Sequence, residues 1–87
     1  MPKVIKEIII KNSQGLHARP AAMLVQMASK YNAGITLDKD GEKVNAKSIM
    51  GILVLGAQQG SKIVIEADGL DAIAAVDEIE KLLTQEG

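Results

Sequence analysis

The chain has 87 residues and a net charge of −1 from ten basic and eleven acidic side chains, with no cysteine. That length predicts one small domain, residues 1–87, burying only about 60–65% of the surface its unfolded form exposes; the missing thiols exclude disulfides, thiolate metal sites and thiol redox chemistry. Apolar residues make up 47% of the sequence with Tyr31 as the only aromatic, so the core must be aliphatic, and the basic footprint and stacking platforms of a nucleic-acid binder are both missing.

Val4 to Lys11 is rich in isoleucine and reads as a first strand, although its alternation is imperfect. Ile8 and Ile10 share a face with Lys6, and Ile9 shares one with Glu7 and Lys11. The early charges also break up any signal-peptide apolar run. Asn12-Ser13-Gln14-Gly15 is turn chemistry. From Ala18 to about Tyr31, Ala21, Leu24, Val25 and Ala28 recur at helical spacing and predict an amphipathic helix that Asn32-Ala33-Gly34 ends.

Ile35–Asp38 and Glu42–Ala46 read as two strands joined at Asp40-Gly41, a pair suited to a tight hairpin whose central residues need positive φ. Ser48 opens a short helix through about Leu55, with Ile52 and Leu55 facing the core and Gly56 as C-cap. Its Ile52-Leu53-Val54-Leu55 stretch, the longest apolar run, is far too short to cross a bilayer. Ser61–Ala67 alternates Ile63, Ile65 and Ala67 against Lys62, Val64 and Glu66, giving a fourth strand. After the turn Asp68-Gly69-Leu70-Asp71, a last helix starts at Asp71 and buries Ala72 or Ile73, Val76, Ile79 and Leu83. Asp77 and Lys81 are spaced for an ion pair along it. The order β-α-β-β-α-β-α predicts a two-layer α+β domain, an antiparallel sheet with helices on one face. A cytoplasmic protein without membrane insertion is expected.

Gly15-Leu16-His17-Ala18-Arg19-Pro20-Ala21-Ala22 carries the functional signal. It sets the only histidine where a helix begins, beside unpaired backbone N–H groups and a positive partial charge that suit an anion. Most histidines at such junctions do no chemistry and merely close a loop. Three neighbours favour chemistry here. Gly15 can take positive φ and leave room beside the ring. Arg19 can reach back to a phosphate as a bidentate fork. Pro20 sits in the first turn, where its missing N–H leaves nothing unpaired, although it pushes Arg19 mildly towards extended backbone. The amides of Ala18 and Arg19 stay available to whatever His17 holds. A neutral imidazole is a ready nucleophile, and phosphoryl transfer asks mostly for positioning and charge stabilisation. With no second titratable group nearby in sequence, the pattern points to a carrier served by partner enzymes and not to a hydrolase, with no metal and no cofactor.

That motif resembles the active-site segment of HPr, the histidine-containing phosphocarrier family of the bacterial phosphoenolpyruvate-dependent phosphotransferase system. The similarity spans essentially the whole chain, including Leu24-Val25-Gln26, Ala28-Ser29-Lys30-Tyr31 and Val44-Asn45-Ala46-Lys47-Ser48-Ile49-Met50-Gly51. The resemblance implies an open-faced sandwich of four antiparallel strands under three helices. It implies that His17 takes a phosphoryl group on Nδ1 from enzyme I and passes it to sugar-specific IIA components, with Arg19 as its electrostatic partner. Gly15 and Pro20 would shape the start of the helix. Gln14 stands where family members often carry a shorter Ser or Asn near the phosphate, and it is given no role.

Ser48 on residue type is a helix N-cap, without a capping box because Gly51 stands three residues on. The resemblance adds a second role, since the serine of this Ser-Ile-Met-Gly segment is the regulatory site in family members controlled by HPr kinase/phosphorylase. A phosphate there suits the helix dipole and changes the surface a partner meets. Leu16, Ile49, Met50 and Leu53 are expected at the apolar docking centre for enzyme I and IIA, methionine being able to repack against several partners. The alternative is a regulatory module of the same fold, read through phospho-Ser48 by a catabolite regulator. Relatives with that role lack the active histidine, and His17 is present. A monomer suffices for a carrier that meets its partners through one face.

Overall fold

The computed structural model describes residues 2–85. In chain order they form β1 (Lys3–Ile9), α1 (Ala18–Ser29), β2 (Gly34–Lys39), β3 (Glu42–Asn45), α2 (Ile49–Leu55), β4 (Lys62–Asp68) and α3 (Ala72–Thr84). The strands make one antiparallel sheet in the order β1-β4-β2-β3, so the last strand is inserted beside the first. Register explains which face is dry. Ile8 lies opposite Ile63, Leu37 opposite Ile65 and Ile35 opposite Ala67, and all six are buried. The three helices cover that face with Ala21, Leu24, Ala28, Ile52, Leu55, Ala75, Val76, Ile79, Leu82 and Leu83. The opposite face, with Ile5 beside Glu66, is open. This is the expected open-faced two-layer sandwich.

The broken alternation of β1 has a physical reason. Lys6 shares the inner side with Ile8, but β1 is an edge strand, and its Nζ reaches the rim to bond Glu80 Oε1 of α3 at 2.7 Å. A long aliphatic stem with a charged tip suits such a place, and the hydrogen bond to Glu80 holds the amine above its usual pKa. The hairpin is as its sequence suggests. Asp40 and Gly41 both have positive φ, 53° and 88°, and the Gly41 amide donates to Asp38 Oδ1 at 2.9 Å.

Helix ends differ from the sequence reading in informative ways. α1 stops at Ser29 and not Tyr31, and the Tyr31 amide closes a tighter turn onto Ala28 O. In α3 the buried position is Ala72, whereas Ile73 is exposed, and Ala75 and Leu82 complete the stripe. Asp71 stands at the N-cap of α3 yet makes no capping bond. Its carboxylate instead accepts the amides of Asn32 and Ala33 at 2.8 and 2.9 Å, tying the α1–β2 turn to the start of α3. The Asp77–Lys81 pair does not form among the described residues; the neighbouring Glu78 and Glu80 pair across the fold with Lys30 and Lys6. No helix among the described residues is long and apolar enough to cross a membrane.

Candidate functional site

Glycine at position 15 is a steric requirement. Its φ is +62°, and a Cβ there would lie 2.7 Å from Ala57 O and 2.9 Å from Gln58 Cα. The sequence reading gave Gly15 room beside the histidine; the close approach is instead to the segment leaving α2. The next residue completes the junction, because the Leu16 amide donates to Ala57 O at 2.8 Å. Leu16 itself is only 3% exposed and joins the core. That corrects its expected place on the docking surface, since a side chain spent on anchoring the loop presents nothing to a partner. The start of α1 is thereby fixed against the C-terminal end of α2.

His17 is the N-cap of α1, with extended backbone (φ −76°, ψ −174°) and no side-chain capping bond. Its ring is exposed and has no hydrogen-bond partner among the described residues. The His17 carbonyl accepts the first helical bond from the Ala21 amide at 2.8 Å. Ala18 and Arg19 therefore present amides with no acceptor one turn back, as expected for a helix start. No acidic residue occupies that first turn, so the positive end of the helix is not neutralised from within. Arg19 is helical despite the following proline; its side chain is exposed and makes no ion pair among the described residues. Pro20 is buried beneath it, fixing the first turn from below. The start of α1 thus carries an exposed imidazole and, two residues on, an exposed guanidinium, neither engaged among the described residues, beside open amides.

Ser48 caps α2 as the sequence indicates. Its backbone is extended, and its Oγ accepts the Gly51 amide at 3.1 Å. Gly56 closes the same helix in left-handed conformation. α2 has seven residues, so Ser48 lies on the order of 10 Å from the end that meets the start of α1. Ile52 and Leu55 point into the core, and Ile49, Met50 (66% exposed) and Leu53 point outward. Sequence reasoning missed Val54, which is 65% exposed and sits four residues after Met50 on the same side, and Met23, exposed one turn after Arg19. Both follow from helical spacing once the helix orientation is known.

The far end of α1 is anchored by polar bonds. Tyr31 donates its hydroxyl to Glu78, which also accepts Lys30 Nζ at 3.0 Å. Those bonds, Tyr31 first, hold the Glu78 carboxyl below its usual pKa and push the Tyr31 phenol up. Lys47 Nζ bonds the Tyr31 carbonyl at 2.7 Å. The amides of Asn32 and Ala33 likewise keep Asp71 well ionised. α1 is thus clamped at both ends. No group of carboxylate and imidazole side chains suited to a metal occurs among the described residues.

A family model described as "PTS HPr component phosphorylation site" matches residues 4–85. Among solved structures, a phosphocarrier protein HPr from Bacillus anthracis is 43% identical, with a TM-score of 0.92 over 94% of this chain and 98% of its own. An HPr dimer from Thermoanaerobacter tengcongensis is 52% identical over 86% of each chain, with a TM-score of 0.72. Crh, the catabolite repression HPr of Bacillus subtilis, is 37% identical over 97% of this chain and 100% of its own, with a TM-score of 0.74.

Proposed function

The chain belongs to the HPr family of the phosphotransferase system, a family of phosphocarriers, and from that premise we propose a relay centred on His17. The phosphoryl group leaves phosphorylated enzyme I as its new bond forms to Nδ1 of His17. It leaves again when a IIA component attacks the phosphorus and the imidazole departs. The chain is then substrate and product of partner enzymes and turns over nothing alone. The amides of Ala18 and Arg19 and the guanidinium of Arg19 meet the phosphoryl oxygens, supplying charge stabilisation without a covalent role. Gly15 and Pro20 hold the backbone that presents them. The single observation that supports this most is an exposed, unbonded imidazole over a helix start with no acid of its own.

Ile49, Met50 and Leu53, joined by Val54 and Met23, form the proposed docking surface for enzyme I and IIA, with cytoplasmic partners and no requirement for a second copy of the chain. Ser48 is the proposed regulatory site for an HPr kinase/phosphorylase. A phosphate on its Oγ adds about two negative charges at the edge of that apolar surface, weakening enzyme I docking without unfolding α2. A second reading, a regulatory module acting on a catabolite regulator through phospho-Ser48, is favoured by the likeness to Crh and disfavoured by the presented His17.

Incubation with phosphoenolpyruvate and enzyme I, followed by intact-mass analysis, separates the two. The relay requires an acid-labile gain of one phosphate that His17→Ala abolishes. Loading of Ser48 alone, by ATP and the kinase, would leave only the regulatory module.

A further inference from the structure

β1 leaves a row of backbone groups without partners. Along an antiparallel strand, alternate residues turn both amide and carbonyl to the same neighbour. Ile10 turns towards the β4 side, its amide donating to Ser61 O at 2.9 Å and its carbonyl accepting the Gly60 amide at 2.8 Å. At the other end the Pro2 carbonyl accepts the Gly69 amide. The even positions of β1 therefore bond β4, and the odd ones face away from the sheet, where β1 is the edge. Lys11 is in the same phase, and its amide is taken by Leu83 O of α3. No acceptor among the described residues meets the amides of Ile5, Glu7 and Ile9.

The side chains at these odd positions select what can pair there. Ile8 faces the core, so Lys3, Ile5 and Glu7 stand on the open face of the sheet, with Ile5 60% exposed. Charges on that face alternate in sign from strand to strand. Lys43 of β3 and Lys3 of β1 both pair with Glu66 of β4, and Glu7 of β1 pairs with Lys62 of β4. Asp68, opposite Lys3, adds to the acidic flank. These pairs are long, 3.4 to 3.8 Å, and Lys3 and Glu7 are more than half exposed within them, so each stays open to a further partner. The alternation ends on a cation at Lys3 and on an anion at Glu7. A strand that continues it must bring an anion to the first and a cation to the second. β1 run antiparallel to itself does both: with Ile5 opposite Ile5 of a second copy, Lys3 meets Glu7 and Glu7 meets Lys3. Edge lysines ordinarily deter pairing, and here they fix the register. Registers centred on Lys6 or Glu7 set like charges face to face, whereas the one centred on Ile5 puts Val4 against Lys6, whose charge is held by Glu80.

We propose that the β1 edge is a pairing surface for a second copy of the chain, joining the two four-stranded sheets antiparallel about Ile5. The outward backbone groups of Lys3, Ile5 and Glu7 and two Lys3–Glu7 pairs hold it. One short strand a side makes a small interface, so the association is weak and reversible. α2 packs on β3 at the opposite edge, so α2 and the adjoining start of α1 stay free in both copies.

Sedimentation equilibrium of the full chain up to about 1 mM, the range of small interfaces, reads the association, and amide hydrogen exchange reads its place. The mean mass should rise towards that of two chains, with exchange at the Ile5 and Glu7 amides slowing as it does. Lys3→Glu and Glu7→Lys each turn two attractive pairs into repulsive ones and should weaken association at least about tenfold. An equimolar mixture of the two variants makes both pairs attractive again and should associate far more tightly than either alone, a recovery that misfolding of either could not give. A parent that stays single at the highest concentration, variants that associate like the parent, a mixture no tighter than its components, or association without slowed exchange at Ile5 and Glu7 would overturn the assignment.

Discussion

Replacing Gly15 by alanine tests how the phosphoryl site is held. Two separable costs arise. Alanine at φ +62° is in a region L-residues avoid, costing about 1–2 kcal/mol. Its Cβ would also stand 2.7 Å from Ala57 O and 2.9 Å from Gln58 Cα, both backbone atoms. Overpacking of that kind adds about 1–3 kcal/mol, for a total centred on about 3.5 kcal/mol. In a domain of this size the melting temperature should fall by roughly 14–28 °C. Gly41→Ala is the internal control: φ is +88°, with nothing within 4 Å of the added methyl. It pays only the backbone term, about 1–2 kcal/mol. Denaturant titrations of both variants give the difference directly. Equal losses at the two positions would show that the 57–58 segment yields freely and does not lock the start of α1.

Asp71 and Glu78 are held below their ordinary values of 3.8 and 4.5. As pH falls below those values the unfolded chain takes up protons first, so their contribution, complete at neutral pH, is lost as pH drops through the lowered folded values. Asp71→Asn should therefore reduce stability at pH 7 and flatten its acid dependence, and an unchanged slope in urea titrations from pH 6 to 2 would refute this. Tyr31→Phe removes the leading bond to Glu78, so the Glu78 carboxyl followed by NMR should titrate at higher pH than in the parent; an unmoved titration contradicts the bond. Ser48→Ala deletes the α2 cap and should cost about 1 kcal/mol in chemical denaturation, whereas no loss would mean that Oγ does not cap. Met50→Ser and Val54→Ser replace exposed side chains and should leave the melting temperature within a few degrees while raising the Kd for enzyme I roughly tenfold; unchanged affinity in calorimetry removes α2 from the docking surface.

Local chemistry was readable wherever one element decides the outcome. Asp40-Gly41 dictates its hairpin, Ser48 and Gly56 bound α2, and the alternation of Ile63, Ile65 and Ala67 marks the inner face of β4. Within the site, the sequence places His17 at a helix start with Arg19 and Pro20 behind it. What stayed hidden depends on partners distant in the chain. Leu16 adjoins the histidine yet is core, because its amide is bound to Ala57. Asp71 looks like a helix cap but serves amides 38 and 39 residues away. Asp77 and Lys81 obey the helical pairing rule on paper, while Glu78 and Glu80 beside them find lysines across the fold. Val54 escaped notice because seven residues are too few for periodicity to tell the outer side of α2 from the inner.

The sharpest check follows the phosphoryl group itself by phosphorus NMR. After phosphoenolpyruvate and enzyme I are added, a phosphohistidine signal should appear on this chain, be absent from His17→Ala, and vanish when a IIA component is supplied. A chain that never loads, loads equally without His17, or keeps its phosphate in the presence of the acceptor is not the relay described above.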